Sequence, residues 1–236
     1  MRKVSFESEE ERVDGTLFIP DVKIKSAGVI FFHGSGSSEK NYIGMGEQLL
    51  RRGVAALTLN LRGHGTSEGK FKDITPEANI KDALAAYDFF IKQEGVDPER
   101  IGVCGSSYGA VLASLLSEKR ALKSLVLRVP AAYTEKMMKI KLEEVLADEE
   151  RVFKIMGNIG ATPAVSAISK FKGSLLIVPS ENDNLIPIDI PKAFLESAKV
   201  VKRKEMRIMD GAGHVLSDEQ RKKYTEIMAS WFTETL

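Results

Sequence analysis

The 236-residue chain is 43% hydrophobic, which suits one large α/β domain with a substantial core. Its 34 lysines and arginines nearly cancel 33 aspartates and glutamates, so the charge imbalance of a nucleic-acid or anionic-membrane binder is excluded. A lone cysteine, Cys104, excludes an internal disulfide framework, and no apolar run approaches the about 20 residues of a membrane span. The start, Met1-Arg2-Lys3-Val4-Ser5-Phe6-Glu7, lacks the apolar core of a signal peptide, so a cytoplasmic protein is expected.

Residues 2–8 and 11–19 alternate as a β-hairpin with Glu9-Glu10 near its turn, and Pro20 ends it. Ala27 to Phe32 is a continuous apolar run, read as a buried strand that stops at His33-Gly34-Ser35-Gly36. Asn41 to Arg52 has helical spacing, and Gly53 closes it before the strand Val54 to Leu59. Thr75 and Pro76 mark the start of a helix to about Gln93, and Asp97-Pro98-Glu99-Arg100 reads as a turn. Strands follow at Ile101 to Cys104, Ser124 to Val129, Leu175 to Pro179 and Lys204 to Met209. Helices are predicted over Asp189 to Lys199 and Leu216 to Thr233. This alternation predicts an α/β fold over 1–236: a mostly parallel sheet with helices on both faces, as one domain. Residues 133–165 break the pattern and read as a small helical lid inserted over one end of the sheet.

The strand at Ile101 runs into a G-x-S-x-G pentad, Gly105-Ser106-Ser107-Tyr108-Gly109, and an apolar helical pattern follows it. A strand turning straight into a helix strains its central residue, which requires residues without bulk two positions before and after. Such a turn lifts the Ser107 hydroxyl clear of the sheet and leaves the Tyr108 N–H at the positive end of a helix.

In a parallel sheet, the loops at the carboxyl ends of the strands share one rim. Five polar loops belong there: His33-Gly34-Ser35-Gly36, Arg62-Gly63-His64-Gly65, the Ser107 turn, Ser180-Glu181-Asn182-Asp183 and Asp210-Gly211-Ala212-Gly213-His214. A serine nucleophile needs a base, and an imidazole oriented by a carboxylate suits the task. Of the three histidines, His214 lies on a late glycine-flanked loop that can reach Ser107, whereas His33 and His64 read as loop-shaping residues. Asp183 is the best-placed acid, with Glu181 and Asp210 as alternatives. Ser35 and Tyr108 are the candidate backbone donors of an oxyanion hole. The histidines show no metal-ligand spacing to each other or to Cys104, and G-x-G-x-x-G spacing is missing, so neither metal nor cofactor is expected.

With these residues in place the chain resembles the α/β-hydrolase superfamily, with Gly105 to Gly109 as nucleophile elbow and the chain order Ser107, Asp183, His214. It looks like the small esterases related to dienelactone hydrolases and cinnamoyl or feruloyl esterases. The segments carrying that likeness are His33-Gly34-Ser35-Gly36, Gly63-His64-Gly65-Thr66-Ser67-Glu68-Gly69 and Asp97-Pro98-Glu99-Arg100-Ile101-Gly102. Two departures stand out. Asn60-Leu61-Arg62-Gly63 replaces the more common Asp-x-Arg-Gly, and the insertion is shorter than a cinnamoyl-esterase lid, so the likeness does not extend to a bulky aromatic acyl pocket. Within the insertion Met137, Met138, Phe153 and Met156 are candidate pocket residues, although such spacings also suit packing of the lid on the body.

The resemblance implies a serine carboxylesterase acting on small-molecule esters, with no nucleic-acid or membrane partner and with a homodimer compatible. The approach to the elbow also resembles prolyl-oligopeptidase catalytic domains, which implies a peptidase or acylaminoacyl hydrolase as the alternative. Those proteins usually carry a large additional domain, for which 236 residues leave no room. A thioesterase would use the same machinery, and a binding module on a hydrolase scaffold would be expected to have a broken triad.

Overall fold

The apolar runs assemble into one eight-stranded sheet in a computed structural model of the chain, which describes residues 1–21, 24–148 and 150–236, without the side chains of 151–153. The strands are β1 (Arg2–Ser8), β2 (Glu11–Phe18), β3 (Ser26–Phe32), β4 (Ala55–Leu59), β5 (Val96–Ser106), β6 (Ser124–Arg128), β7 (Ser174–Val178) and β8 (Arg203–Met206). Their order across the sheet is β1-β2-β4-β3-β5-β6-β7-β8. The N-terminal hairpin is antiparallel and joins β4 antiparallel, while β4 through β8 pair in parallel. Strands β3, β4, β6 and β7 are buried along their whole length, which is why they read as unbroken apolar runs.

Helices α1 (Ile43–Arg51) and α9 (Asp218–Thr235) cover one face. There Met45, Leu49, Tyr224, Trp231 and Phe232 pack on Val29, Phe31, Ala56, Cys104 and Val126. The other face carries α2 (Pro76–Phe90), α3 (Tyr108–Lys119), α7 (Pro163–Lys170) and α8 (Asp189–Ser197), packed on Ile30, Leu57, Val103, Leu125 and Ile177. Alternate residues of each strand thus feed opposite cores, as a pleated sheet requires. Two helices carry caps at their starts: Thr75 accepts from the Ala78 N–H ahead of Pro76, as predicted, and Ser217 and Gln220 form a capping box ahead of α9, which begins two residues later than the expected Leu216.

Four boundaries differ from the sequence reading. The helix expected to reach Gln93 ends at Phe90, and the last strand ends at Met206, with Met209 forming a separate bridge to Ser180. The segment Asp97-Pro98-Glu99-Arg100 lies inside β5 as an irregularity: Ser26 pairs with Val96, then Gly28 pairs with Ile101. The insertion holds α4 (Glu135–Lys139), α5 (Leu142–Ala147) and α6 (Arg151–Met156), but Pro163 already opens α7. Helix α7 packs along α3 and forms part of the crossover from β6 to β7 rather than the lid. No helix among the described residues is long and apolar enough to cross a membrane.

Candidate active site

Ser107 sits between β5 and α3 at φ 53° and ψ −115°, a conformation that costs a non-glycine residue energy. Backbone hydrogen bonds hold it there: its N–H donates to the Arg128 carbonyl at 2.9 Å, and its carbonyl accepts from Ala131 at 3.2 Å. The flanking glycines are dictated by closeness. A Cβ on Gly105 would lie 2.7 Å from Ala110 Cα, and one on Gly109 would lie 2.6 Å from the Phe32 carbonyl carbon.

Tyr108 is the first residue of α3, so its N–H has no acceptor within the helix. Its ring is fully buried and its hydroxyl donates to Asn79 Oδ1 at 2.8 Å. Burial pushes that phenol well above its ordinary pKa, so it stays neutral. Asn79 in turn donates to Asp82, which takes the Arg62 backbone N–H at 2.9 Å and its Nε at 2.8 Å. Arg62 therefore supports the loop after β4, as its place in the motif suggests. On the other side of this turn lies Gly34, where a Cβ would stand in ordinary contact with Ser107 Cβ at 3.5 Å.

His33 and His64 lie beneath these loops. His33 Nε2 accepts from the Leu61 N–H at 3.0 Å and its Nδ1 bonds the Gly34 carbonyl at 2.8 Å, which fixes the neutral tautomer. Burial, aided by His64, drives the His33 pKa down to about 3. His64 Nδ1 donates to the Arg62 carbonyl at 3.1 Å, and burial lowers its pKa as well. Both histidines shape loops, and no group of three potential ligands for a metal occurs among the described residues. Cys104 is buried against the Tyr224 hydroxyl, and burial pushes its thiol up to about 12.

His214 Nδ1 contacts Asp183 Oδ2 at 2.8 Å and Oδ1 at 3.1 Å. Asp183 also receives the N–H groups of Leu185 and Ile186, each at 2.9 Å. Burial works to raise the Asp183 pKa, but the bonds from His214, Ile186 and Leu185 outweigh it and the net value falls below the ordinary one. The carboxylate is therefore held charged and aimed at the imidazole. The two alternatives do other work: Glu181 accepts the Gly211 N–H at 2.7 Å, and Asp210 is exposed near Lys223.

Ser107, His214 and Ser35 line two cavities that meet at the serine. One, of about 340 Å³, mixes Asn41, Ser106, Arg128 and Arg221 with Tyr42, Met45, Val215 and Leu216. The other, of about 70 Å³, is walled by Ala131, Ala132, Tyr133, Leu146, Ile155, Ile186 and Ile190. Among the described residues no hydrogen bond joins Ser107 to His214; such contacts are often long without substrate and tighten in the complex.

The candidate pocket residues need correction. Met137 and Met138 are buried in the core, on α4 where it packs against α2, and Met156 is exposed. None of the three lines either cavity, and the Phe153 side chain falls outside the described residues. The lid instead contributes Leu146 and Ile155. Sequence reasoning also missed Arg128, whose Nη2 donates to the His214 carbonyl at 2.7 Å and so braces the histidine loop.

Among solved structures, the ferulic-acid complex of Est1E from Butyrivibrio proteoclasticus superposes with a TM-score of 0.77, at 21% identity over 98% of each chain. A dienelactone hydrolase from Anabaena variabilis gives 0.72, at 19% identity over 100% of this chain and 97% of that one. These likenesses show the α/β-hydrolase fold. An uncharacterised Mycobacterium tuberculosis protein is 25% identical over 167 residues, or 69% of this chain, which spans about half of that relative (53%). The Prolyl oligopeptidase family matches residues 43–236, a stretch holding Ser107, Asp183 and His214, and the chain belongs to that family.

Proposed function

We propose that the protein is a serine hydrolase that cleaves carboxylic esters of small to medium acyl groups through an acyl-enzyme on Ser107. One observation carries the reading: the strained serine and His214, remote along the chain and with His214 paired to Asp183, line the same two cavities. Ser107 Oγ attacks the ester carbonyl while His214 Nε2 accepts its proton. Asp183 keeps the other ring nitrogen protonated and stabilises the imidazolium. The oxyanion meets the N–H groups of Tyr108 and Ser35, and His214 then protonates the departing alcohol. Water repeats the sequence on the acyl-enzyme. The 70 Å³ apolar pocket suits a short hydrocarbon group.

Turnover of p-nitrophenyl acetate and butyrate tests the assignment. Wild type is expected to hydrolyse both, and Ser107→Ala to lose at least about a thousandfold in kcat. Equal rates for the two proteins would end the proposal. The family match supports a second reading, hydrolysis of peptide or acylaminoacyl bonds by the same residues. Aminoacyl-nitroanilides assayed beside the esters separate the two.

A further inference from the structure

The loops that carry Ser107, Asp183 and His214 meet at one side chain. Arg128 ends β6, between β5 and β7, and its carbonyl takes the Ser107 N–H at 2.9 Å. Its guanidinium reaches all three loops. Nη2 donates to the His214 carbonyl at 2.7 Å and lies 3.5 Å from the Ser180 hydroxyl, where the Asp183 loop begins. Nη1 lies 3.4 Å from the hydroxyl of Ser106, the residue before Ser107. The Asp183 and His214 loops are also joined directly: Glu181 N–H donates to the Met209 carbonyl at 3.1 Å, and Asn182 N–H to that of Ala212 at 2.8 Å. Among the described residues, no hydrogen bond runs from residues 105–109 to either of those loops except through Arg128.

The fold alone gives little reason for an arginine here. Arg128 is 8% exposed and, among the described residues, makes no ion pair, and its buried Nε has no partner. The Tyr224 ring, 5.9 Å away, offers the charge only a weak face. A guanidinium stays charged in proteins, so burial without a counter-ion is unfavourable. Arg62, the other buried arginine among the described residues, has Asp82 at 2.7 Å and Glu9 at 3.3 Å. The two groups part accordingly: burial lowers the Arg128 pKa, whereas at Arg62 Asp82 and Glu9 outweigh burial and raise it. An apolar side chain would suit the site better for stability, but it could not join three loops. A guanidinium can, because its planar fork aims several N–H groups in fixed directions. Such departures from the rules of stability gather where geometry serves function.

We propose that Arg128 is a positioning residue, which sets His214 and Asp183 in register with Ser107 by tying their three loops to one guanidinium. This rests on the serine-hydrolase reading and adds the residue that aligns its parts. With no hydrogen bond between Ser107 and His214 among the described residues, their register depends on the frame that holds them. A displacement of about 1 Å in such a frame lowers a rate by about a hundredfold.

Arg128→Met separates positioning from stability. The variant strands no carboxylate, so its urea midpoint is expected to equal or exceed that of wild type. Its kcat for p-nitrophenyl acetate is expected to fall at least about a hundredfold, with fluorophosphonate labelling of Ser107 slowed alike. Arg128→Lys keeps the charge but not the fork, and is expected to regain less than about tenfold of that loss. Hydrogen exchange at the amides of residues 210–216 reads the brace without chemistry, and is expected to be at least about tenfold faster in Arg128→Met. Full activity in either variant would overturn the inference and leave the esterase reading standing. So would failure of Arg128→Met to fold, or a lowered midpoint that accounts for its lost turnover. A wild type that neither hydrolyses esters nor takes the label would defeat the esterase reading instead. Faster exchange in Arg128→Met would then still uphold the brace, and unchanged exchange would overturn it.

Discussion

Asp183 Oδ1 takes two backbone N–H groups and lies 3.1 Å from His214 Nδ1, while Oδ2 makes the shorter contact with that nitrogen at 2.8 Å. In Asp183→Asn an amide nitrogen must face either those N–H groups or the imidazole. Ester turnover is expected to fall by about a thousand- to ten-thousandfold, while circular dichroism reports an intact fold. The strain at Ser107 can be read separately from chemistry. Ser107→Gly is expected to be about 1 kcal/mol more stable than Ser107→Ala, because glycine adopts a positive φ freely. Urea midpoints of the two inactive proteins give the difference. His33 sets an acid limit. Its folded pKa of about 3 lies below the ordinary 6.5, so the neutral ring contributes stability in full above 6.5. That contribution is lost as pH falls through the window from 6.5 towards 3. The slope from this one group approaches about 1.4 kcal/mol per pH unit. Denaturation across that window is expected to show a shallower slope in His33→Gln.

Three elements are tied together by the chain of contacts from Arg62 through Asp82 and Asn79 to the Tyr108 hydroxyl. Asp82 is fully buried, so Asp82→Ala strands the Arg62 guanidinium with only the half-exposed Glu9 as counter-charge. A loss of about 3–5 kcal/mol, read from the urea midpoint, is expected. At this scale much was legible in the sequence. Thr75-Pro76 announced its helix because a cap and a proline act on the local backbone alone. The lid was not legible. Helices α4, α5 and α6 have 5, 6 and 6 residues, too few for apolar spacing to show which face meets the body. Methionines 137 and 138 therefore looked like pocket residues, whereas Leu146 and Ile155 line the cavity.

Across the whole molecule, the rim was legible because each polar loop follows an apolar strand of the parallel sheet, whose carboxyl ends share one edge. That placed Ser107, Asp183 and His214 together without any spacing motif linking them. Arg128 was hidden because it ends an otherwise apolar strand, and no local pattern tells a buried arginine's partners across the fold. Ser107, the proposed nucleophile, directly follows β5, which is flanked by β3 and β6, and its backbone is locked to Arg128 and Ala131. Few parts of the fold are harder to loosen alone, since moving that turn means parting the middle of the sheet. Heat is therefore expected to switch catalysis off in step with global melting, with residual activity and far-ultraviolet ellipticity tracing one curve. A hydrolase with its reactive atom on a mobile loop would go quiet well before it unfolds; this one should keep working until the sheet itself gives way.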